Sequence, residues 1–215
     1  MSAAAFHYLL VTGKYSIADG NLDHMRYLLF PIMAVSLWGH AQIPPAEVPS
    51  PSPRQGQAVV LDIDGTLTPL NISVYEPRPD AAKAVSTLSK KGYRIVYITT
   101  RVPLFQSGLP DWLHQNGFPE GNLHIAQSSE ERDHPAKFKA RVLKAYLLRG
   151  WRLVYAYGDS SSDFTAYADA GIPKSRVFAL KRRGSKDCQD GIYRTCLEGW
   201  TEHLPYIERK IADAK

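Results

Sequence analysis

The spacing of apolar residues predicts an alternation of strands and helices from Ala58 onward. Short apolar runs are typical of buried strands, whereas Ala82, Val85 and Leu88 recur at the spacing of one helix face. Glycine follows several of the helical stretches, as a helix stop commonly does. The predicted strands are 57–61, 93–98, 123–126, 152–157 and 176–180, and the predicted helices are 79–91, 104–116, 135–149, 161–170 and 198–212.

This alternation indicates an α/β fold in which a mainly parallel sheet lies between two layers of helices. In such folds, ligands bind beyond the carboxyl ends of the strands. Polar residues that can carry chemistry cluster at three of these ends. They are Asp62 and Asp64 after the first strand, Thr99, Thr100 and Arg101 after the second, and Asp159 and Asp163 after a later one.

The residues before Ala58 have a different character. Met25 and Arg26 precede an apolar run over 27–38, with small residues at Gly39 and Ala41, which is typical of a cleavable secretory signal. We therefore interpret 1–41 as an N-terminal extension and signal peptide, with translation starting at Met25, although a buried helix or an uncleaved anchor is the alternative. Residues 42–57, rich in Pro and Ser, are predicted to be a linker, which leaves 58–215 as the folded domain of a secreted or periplasmic protein.

Composition fits one globular domain, since 44% of the 215 residues are hydrophobic and 22% are charged. The net charge of +5 favours anionic partners. The chain lacks a strong pattern of interleaved aromatic and basic residues, so no nucleic-acid partner is expected. The sequence does not indicate an oligomeric state.

Cys188 and Cys196 are the only cysteines, and no C-x-x-C pair exists, so a zinc site is not expected. In an oxidising compartment they could form a disulfide. Two free thiols are the alternative; the signal-like N-terminus favours the disulfide.

The stretch Asp62-Ile63-Asp64-Gly65-Thr66 could be a simple turn, in which Asp and Gly are common. It also suits phosphoryl transfer, because one carboxylate can attack phosphorus while the other moves protons. Mg²⁺ prefers oxygen ligands, which the carboxylates of Asp62 and Asp159 and the carbonyl of Asp64 can supply. A phosphoryl group would need hydrogen-bond donors and positive charge. Thr99 can donate hydrogen bonds, and either Lys137 or Lys139 can supply the charge.

These motifs resemble those of the haloacid dehalogenase (HAD) superfamily of phosphotransferases. The match consists of DIDGT at 62–66, a threonine at the second strand end, a lysine near 139 and GDSSSD at 158–163. Within the superfamily, VVLDIDGTLT, YITTR and HPAKFKARVL are most similar to the lipin/Ned1/Smp2 (LNS2) branch, the phosphatidate-phosphatase type. The resemblance implies a three-layer, Rossmann-like HAD fold.

The resemblance also implies roles for individual residues. Asp62 would form an aspartyl-phosphate, and Asp64 would protonate the leaving group and then activate water. Lys139 is preferred to Lys137 because an apolar helix residue, Leu143, follows it by four positions. Thr99 and Lys139 would hold the phosphoryl oxygens. Thr100 and Arg101 are further candidates for phosphate binding, although Arg101 could simply be exposed. The implied Mg²⁺ site comprises Asp62, Asp64 and Asp159, with Asp163 supporting the metal or the lysine.

The intervals on either side of Thr99 are too short for the large cap domain of many HAD enzymes. An open site suits a bulky phosphorylated substrate, such as phosphatidate at an anionic membrane surface. Lys181, Arg182 and Arg183 could lie against such lipid, or could form an ordinary solvated loop. The additional N-terminal region of the eukaryotic lipins has no counterpart here. The alternatives are a non-catalytic, phosphatidate-sensing LNS2-like module, a broad-specificity secreted acid phosphatase and a nucleic-acid end phosphatase.

Overall fold

The protein is represented by a computed structural model that describes residues 48–52, 55–70 and 75–215. The predicted start at Met25 and the signal peptide lie outside the described residues, as does the first part of the predicted linker, 42–47. The sheet, the helices around it and the candidate site all lie within the described ranges.

Six parallel strands form one sheet, in the order β3-β2-β1-β4-β5-β6. The chain moves outward from β1 in one direction through β2 and β3, and in the other through β4, β5 and β6. The order therefore reverses next to β1, which is where open α/β sheets bind ligands. The strands are β1 (Gln57–Asp62), β2 (Arg94–Thr99), β3 (Asn122–Ile125), β4 (Arg152–Gly158), β5 (Val177–Leu180) and β6 (Thr195–Leu197).

Helices cover both faces of the sheet, so the predicted three-layer α/β fold is confirmed. Successive side chains of β1 point to opposite faces, because the side-chain period of a strand is two. Val59 and Leu61 pack toward α1, α2 and α6, whereas Ala58 and Val60 pack toward α4 and α5. The helices are α1 (Ala81–Lys90), α2 (Leu109–Gln115), α3 (Ser129–Asp133), α4 (Pro135–Leu148), α5 (Ser161–Asp169) and α6 (Trp200–Lys210).

Two differences separate the predicted elements from the observed ones. The predicted helix over 104–116 is a 3₁₀ turn, Pro103–Phe105, followed by the shorter α2, because Pro110 is placed in the first helical turn, where its missing N–H is tolerated. Helix α3 and strand β6 were not predicted. Helix α3 is short and begins at a capping box between Ser128 and Glu131.

The described part of the predicted linker lies against the domain. Val48 is buried in the core on the side of α4 and α5, and the indole N–H of Trp151 donates to the carbonyl of Pro49 at 2.7 Å. Farther along, Cys188 and Cys196 form the expected disulfide. This bond joins the long connection after β5 to the edge strand β6.

The intervals flanking Thr99 contain only single elements of ordinary size. Between Thr68 and Thr99 the described residues form α1 and β2, and between Thr99 and Lys139 they form α2, β3, α3 and the start of α4. The carboxyl edge of the sheet is therefore not covered by a large domain within the described ranges. No helix among them is both long and apolar enough to span a bilayer.

Candidate active site

The site is built around Asp62, the last residue of β1 and a buried one. One carboxylate oxygen, Oδ1, accepts a hydrogen bond from Lys139 Nζ at 2.5 Å. The other, Oδ2, accepts one from the hydroxyl of Thr66 at 3.1 Å. Both bonds fix the carboxylate at the end of the central strand.

Lys139 links two carboxylates rather than one. Its Nζ lies 2.5 Å from Asp62 Oδ1 and 2.5 Å from Asp163 Oδ1, and its side chain is buried. Burial alone would lower the pKa of Lys139, but the charges of Asp163 and Asp62 raise it above its ordinary value, so the amine stays protonated. Lys137, the alternative, is exposed on the outer side of α4. The structure thus brings Lys139 into the site and leaves Lys137 outside it.

Asp163 is held at the start of α5 by a capping box. Its Oδ2 accepts hydrogen bonds from the backbone N–H of Ser160 at 3.0 Å and of Asp159 at 3.2 Å, which are free donors at a helix N-terminus. Its other oxygen faces Lys139. Gly158 permits this approach, because a Cβ at that position would lie 2.6 Å from the Asp163 Cβ. Asp163 therefore orients Lys139 toward Asp62.

Asp159 follows β4 and is also buried. Burial, with the neighbouring charge of Asp163, raises its pKa to about 6, although Arg182 opposes the rise. Gly65 leaves the space that the carboxylate occupies: its φ is +88°, and a Cβ there would lie 2.0 Å from Asp159 Oδ2. The glycine after Asp64 is therefore required by both its backbone conformation and this close approach.

Asp62, Asp159 and Asp163 form one acidic cluster, in which one oxygen from each carboxylate lies within 4.8 Å of the others. Burial, together with the charge of Asp163, raises the pKa of Asp62 well above its ordinary value. Buried carboxylates at such separation need cations, and a set of carboxylate oxygens is what a hard divalent cation prefers. These residues fit a divalent metal.

Asp64 has different surroundings, although only Ile63 separates it from Asp62. The hydroxyl of Thr99 donates to Asp64 Oδ2 at 2.6 Å, and Arg101 donates to Oδ1 from Nη2 at 2.7 Å and from Nε at 3.0 Å. We call Asp64, Thr99 and Arg101 the Asp64 clamp. Its carboxylate lies outside the acidic cluster, so its predicted contribution to a metal rests on its backbone carbonyl.

Two of the predicted phosphate-binding residues therefore have other contacts in this structure. Thr99 and Arg101 are engaged with Asp64, and the Arg101 guanidinium is buried. Thr100 is half-buried at the end of β2, and its hydroxyl makes no hydrogen bond to another described residue. Their contacts with phosphate stay predictions, and the direct role of Arg101 is to hold Asp64.

Two arginines that sequence analysis did not single out for the site also contribute. Arg78 is buried, and its guanidinium donates to the carbonyls of Gly65 and Lys181 at 2.7 and 2.6 Å, which joins the loop after β1 to the loop after β5. Arg182 lies on the latter loop and forms an ion pair with Asp159 Oδ2 through Nε. Both contacts span large sequence separations, so only the fold reveals them.

Comparison with known proteins agrees with this geometry. The family model described as the LNS2 domain of PITM 1-3 matches residues 59–181, which is more than half of the chain. Membrane-associated phosphatidylinositol transfer protein 3 of Mus musculus is 30% identical over 163 residues, which cover 73% of this chain but 16% of that protein. The protein retinal degeneration B of Drosophila melanogaster is 27% identical over 203 residues, which cover 91% of this chain and 15% of that protein.

Among solved structures, a protein of Mesorhizobium loti described as a HAD-like phosphatase superposes with a TM-score of 0.52 and 17% identity. The match covers 80% of this chain and 99% of that one, and it shows a shared fold. The family match includes the DIDGT stretch, Thr99, Lys139 and Asp159. The predicted resemblance is confirmed, and this chain belongs to the LNS2 family, whose HAD-type phosphatase-like fold it adopts.

Proposed function

We propose that the domain is a Mg²⁺-dependent phosphomonoester hydrolase that acts through an aspartyl-phosphate on Asp62. The observation that carries the proposal is the clustering of four aspartates at the carboxyl edge of the sheet, two of them bound to Lys139, one to Thr99 and Arg101, and one to Arg182. The relatives' names concern lipid transfer, so a lipid-sensing module is the second candidate. The complete set of Asp62, Asp64, Asp159 and Asp163 favours the enzyme, because sensing needs no nucleophile.

In the first half-reaction, a carboxylate oxygen of Asp62 attacks phosphorus, so that an O–P bond forms and the ester P–O bond breaks. The electron pair of the broken bond leaves on the alkoxide, which takes a proton from Asp64. Lys139 holds Asp62 from one side and offers positive charge to the phosphoryl oxygens.

In the second half-reaction, Asp64 accepts a proton from water as the water oxygen bonds to phosphorus. The Asp62–phosphorus bond then breaks, inorganic phosphate leaves, and both carboxylates return to their initial states. Thr99 and Arg101 hold Asp64 by three hydrogen bonds, which fixes its direction for both proton transfers.

The acidic cluster supplies the metal ligands in this proposal. Asp62 and Asp159 would hold Mg²⁺ through carboxylate oxygens, with the carbonyl of Asp64 as a further ligand. Asp163, which already orients Lys139, would support the site from behind. When bound, the ion would offset the charge of the carboxylates and of the phosphate.

The proposed substrate is a bulky phosphate ester, and a lipid phosphate such as phosphatidate fits best. The carboxyl edge carries no large covering domain among the described residues. The names of the relatives concern phosphatidylinositol transfer and membrane association, which supports an anionic lipid as the partner.

We further propose that the protein acts after export. The disulfide between Cys188 and Cys196 supports an oxidising compartment, and the signal-like sequence over 1–41 agrees with it. Labelling of thiols in protein isolated from its native compartment, with and without a reductant, tests this proposal. Two free thiols before reduction would contradict it.

The function is tested by measuring phosphate release from phosphatidate vesicles, a short-chain phosphatidate, p-nitrophenyl phosphate and a nucleoside monophosphate, with Mg²⁺ or with a chelator. We expect turnover with Mg²⁺ and a fall of at least about a thousandfold in Asp62→Asn, because the nucleophile is lost. Absence of turnover on every substrate, or equal turnover by Asp62→Asn, would contradict the proposal. Mg²⁺-independent binding of phosphatidate without turnover would favour the sensing module.

A further inference from the structure

An apolar patch borders the site on the side of the Asp64 clamp. Leu104 is 79% exposed, Val102 51% and Tyr75 49%, which is unusual for large hydrophobic side chains on a soluble surface. Val102 and Leu104 lie on the loop after β2, and Tyr75 joins them through an edge-to-face contact with Phe105, with ring centroids 6.3 Å apart. We call Tyr75, Val102, Leu104 and Phe105 the apolar rim.

The apolar rim is physically continuous with the site. The Arg101 guanidinium that holds Asp64 lies 6.0 Å from the centroid of the Tyr75 ring. Gln106 fastens the other end of the same loop, because its amide donates to the carbonyls of Arg101 and Ala126 at 2.6 and 3.0 Å. The loop therefore holds its apolar side chains outward from a fixed base, beside the Asp64 clamp.

Basic residues continue this edge on the other side of Tyr75. Arg183 pairs with Glu76, the neighbour of Tyr75, and its backbone N–H donates to the carbonyl of Pro69 at 3.1 Å. Its guanidinium is about half exposed, and Arg182 next to it reaches Asp159 inside the site. The edge of the site thus carries apolar side chains on one side and, on the other, the half-exposed guanidinium of Arg183 in its ion pair with Glu76.

We propose that this edge docks on the surface of an anionic lipid bilayer, with the apolar rim inserted among the acyl chains and Arg183 near the headgroups. Exposed apolar side chains beside cationic ones are what binds an anionic membrane interface. The inference rests on the proposed function and specifies it: the phosphate would reach Asp62 while the lipid's acyl chains stay in the bilayer beside Leu104.

A bilayer fits this edge better than a protein partner does. The apolar side chains stand on the tip of a short loop and not on a flat face, so inserting them buries their area without requiring a matching surface. A protein bound over the same residues would also cover the entrance to Asp62 and Asp64, whereas a bilayer presents its phosphates there.

The test compares vesicle binding by three variants in an Asp62→Asn background, so that no lipid is consumed. Leu104→Glu removes the inserting side chain and adds a charge, and Leu104→Trp adds a residue that favours the membrane interface. The matched control is Leu148→Glu, because Leu148 is 89% exposed but lies at the far end of α4. Flotation with phosphatidylcholine vesicles, with and without phosphatidate, measures the binding.

We expect Leu104→Glu to weaken binding to phosphatidate-containing vesicles by about tenfold or more, since burying a leucine contributes at least that factor. Leu104→Trp should bind at least as tightly as the parent, and Leu148→Glu should bind like the parent. Equal loss in Leu148→Glu, or no loss in Leu104→Glu, would overturn the proposal. A change of oligomeric state in Leu104→Glu without a change in vesicle binding would instead identify a protein interface.

This experiment is independent of catalysis. Turnover of p-nitrophenyl phosphate by the protein with Asp62 intact reports on the proposed function, and vesicle binding in the Asp62→Asn background reports on the docking edge. If turnover is absent but Leu104→Glu still weakens vesicle binding, the docking edge is supported and the proposed hydrolase activity is not. If turnover is present but vesicles are not bound, only the docking edge fails.

Discussion

Asp62 and Asp64 are separated by one residue, yet the fold gives them opposite surroundings. Asp62 is buried with two further carboxylates, which Lys139 and Arg182 compensate in part. Asp64 is half-buried and is held by an arginine and a threonine. The comparison teaches that one strand end can hold both a nucleophile that needs a cation and a fixed proton carrier. Asp62 is the last residue of β1, whereas Asp64 lies in the turn that follows, so the strand's alternation no longer sets its direction.

The largest expected effect is the loss of turnover when only the proton carrier, Asp64, is removed. Asp64→Asn keeps the shape of the side chain but cannot exchange protons, so we expect turnover to fall by about a hundredfold to ten-thousandfold, the usual range for general acid–base catalysis. Steady-state assays on the preferred substrate measure the effect, and circular dichroism checks the fold. A loss below about tenfold would show that Asp64 is not the acid–base group.

The next largest effect is on the stability of the whole protein, to which the lysine in the acidic cluster contributes. Lys139→Met removes the cation shared by Asp62 and Asp163 and leaves buried carboxylates without compensation, which should lower the free energy of unfolding by about 3 kcal/mol without metal. The matched control is Lys137→Met, which changes an exposed lysine two positions earlier and should stay within about 0.5 kcal/mol of wild type. Urea denaturation measures both. Equal effects would contradict the assignment of Lys139 to the site.

A pH effect should appear in the metal-free protein. Because the pKa of Asp159 is raised to about 6 from 3.8, the folded state holds this proton more tightly than the unfolded state. The resulting stability is present below the unfolded pKa and is lost as pH rises through about 6, by about 3 kcal/mol. Wild type should therefore lose stability relative to Asp159→Asn between about pH 4 and pH 6.5 in chelator. A pH-independent difference between the two would contradict this explanation.

The smallest effect concerns Arg182. Its guanidinium pairs with Asp159 and so competes with a metal cation for that carboxylate. Arg182→Gln should tighten Mg²⁺ binding by about twofold to fivefold, since partly exposed ion pairs contribute up to about 1 kcal/mol. The control is Arg183→Gln, whose partner Glu76 lies outside the acidic cluster. Calorimetric titration measures the affinity; weaker binding by Arg182→Gln would show that the arginine supports the metal site.

Local sequence patterns were sufficient to predict the central strands and the functional residues at their ends. β1, β2 and β4 are apolar runs bounded by glycine or polar residues, and the carboxyl ends of parallel strands must share an edge. Asp62 and Asp159 could therefore be placed together from the sequence. Lys139 could be preferred only through the family resemblance, since both lysines lie on the same predicted helix.

Other features depend on long-range packing that leaves no local signal. β6 is three residues long and exposes two of them, so only its pairing with β5 defines it as a strand. Arg78 donates to Gly65 and Lys181, and Arg182 reaches Asp159 from another loop. Arg101 was expected to contact phosphate, but its partner in the structure is Asp64, because the loop after β2 turns it back toward β1.

The central claim is that Asp62 becomes phosphorylated. Asp64→Asn protein should be mixed with substrate and Mg²⁺, quenched in acid, digested and analysed by mass spectrometry, with Asp62→Asn as the control. The account predicts a phosphoryl group on the peptide that contains Asp62, with more of it in Asp64→Asn than in wild type, because the water that releases it is no longer activated. Turnover by wild type without any phosphorylated Asp62, or a phosphoryl group on a different residue, would contradict the account.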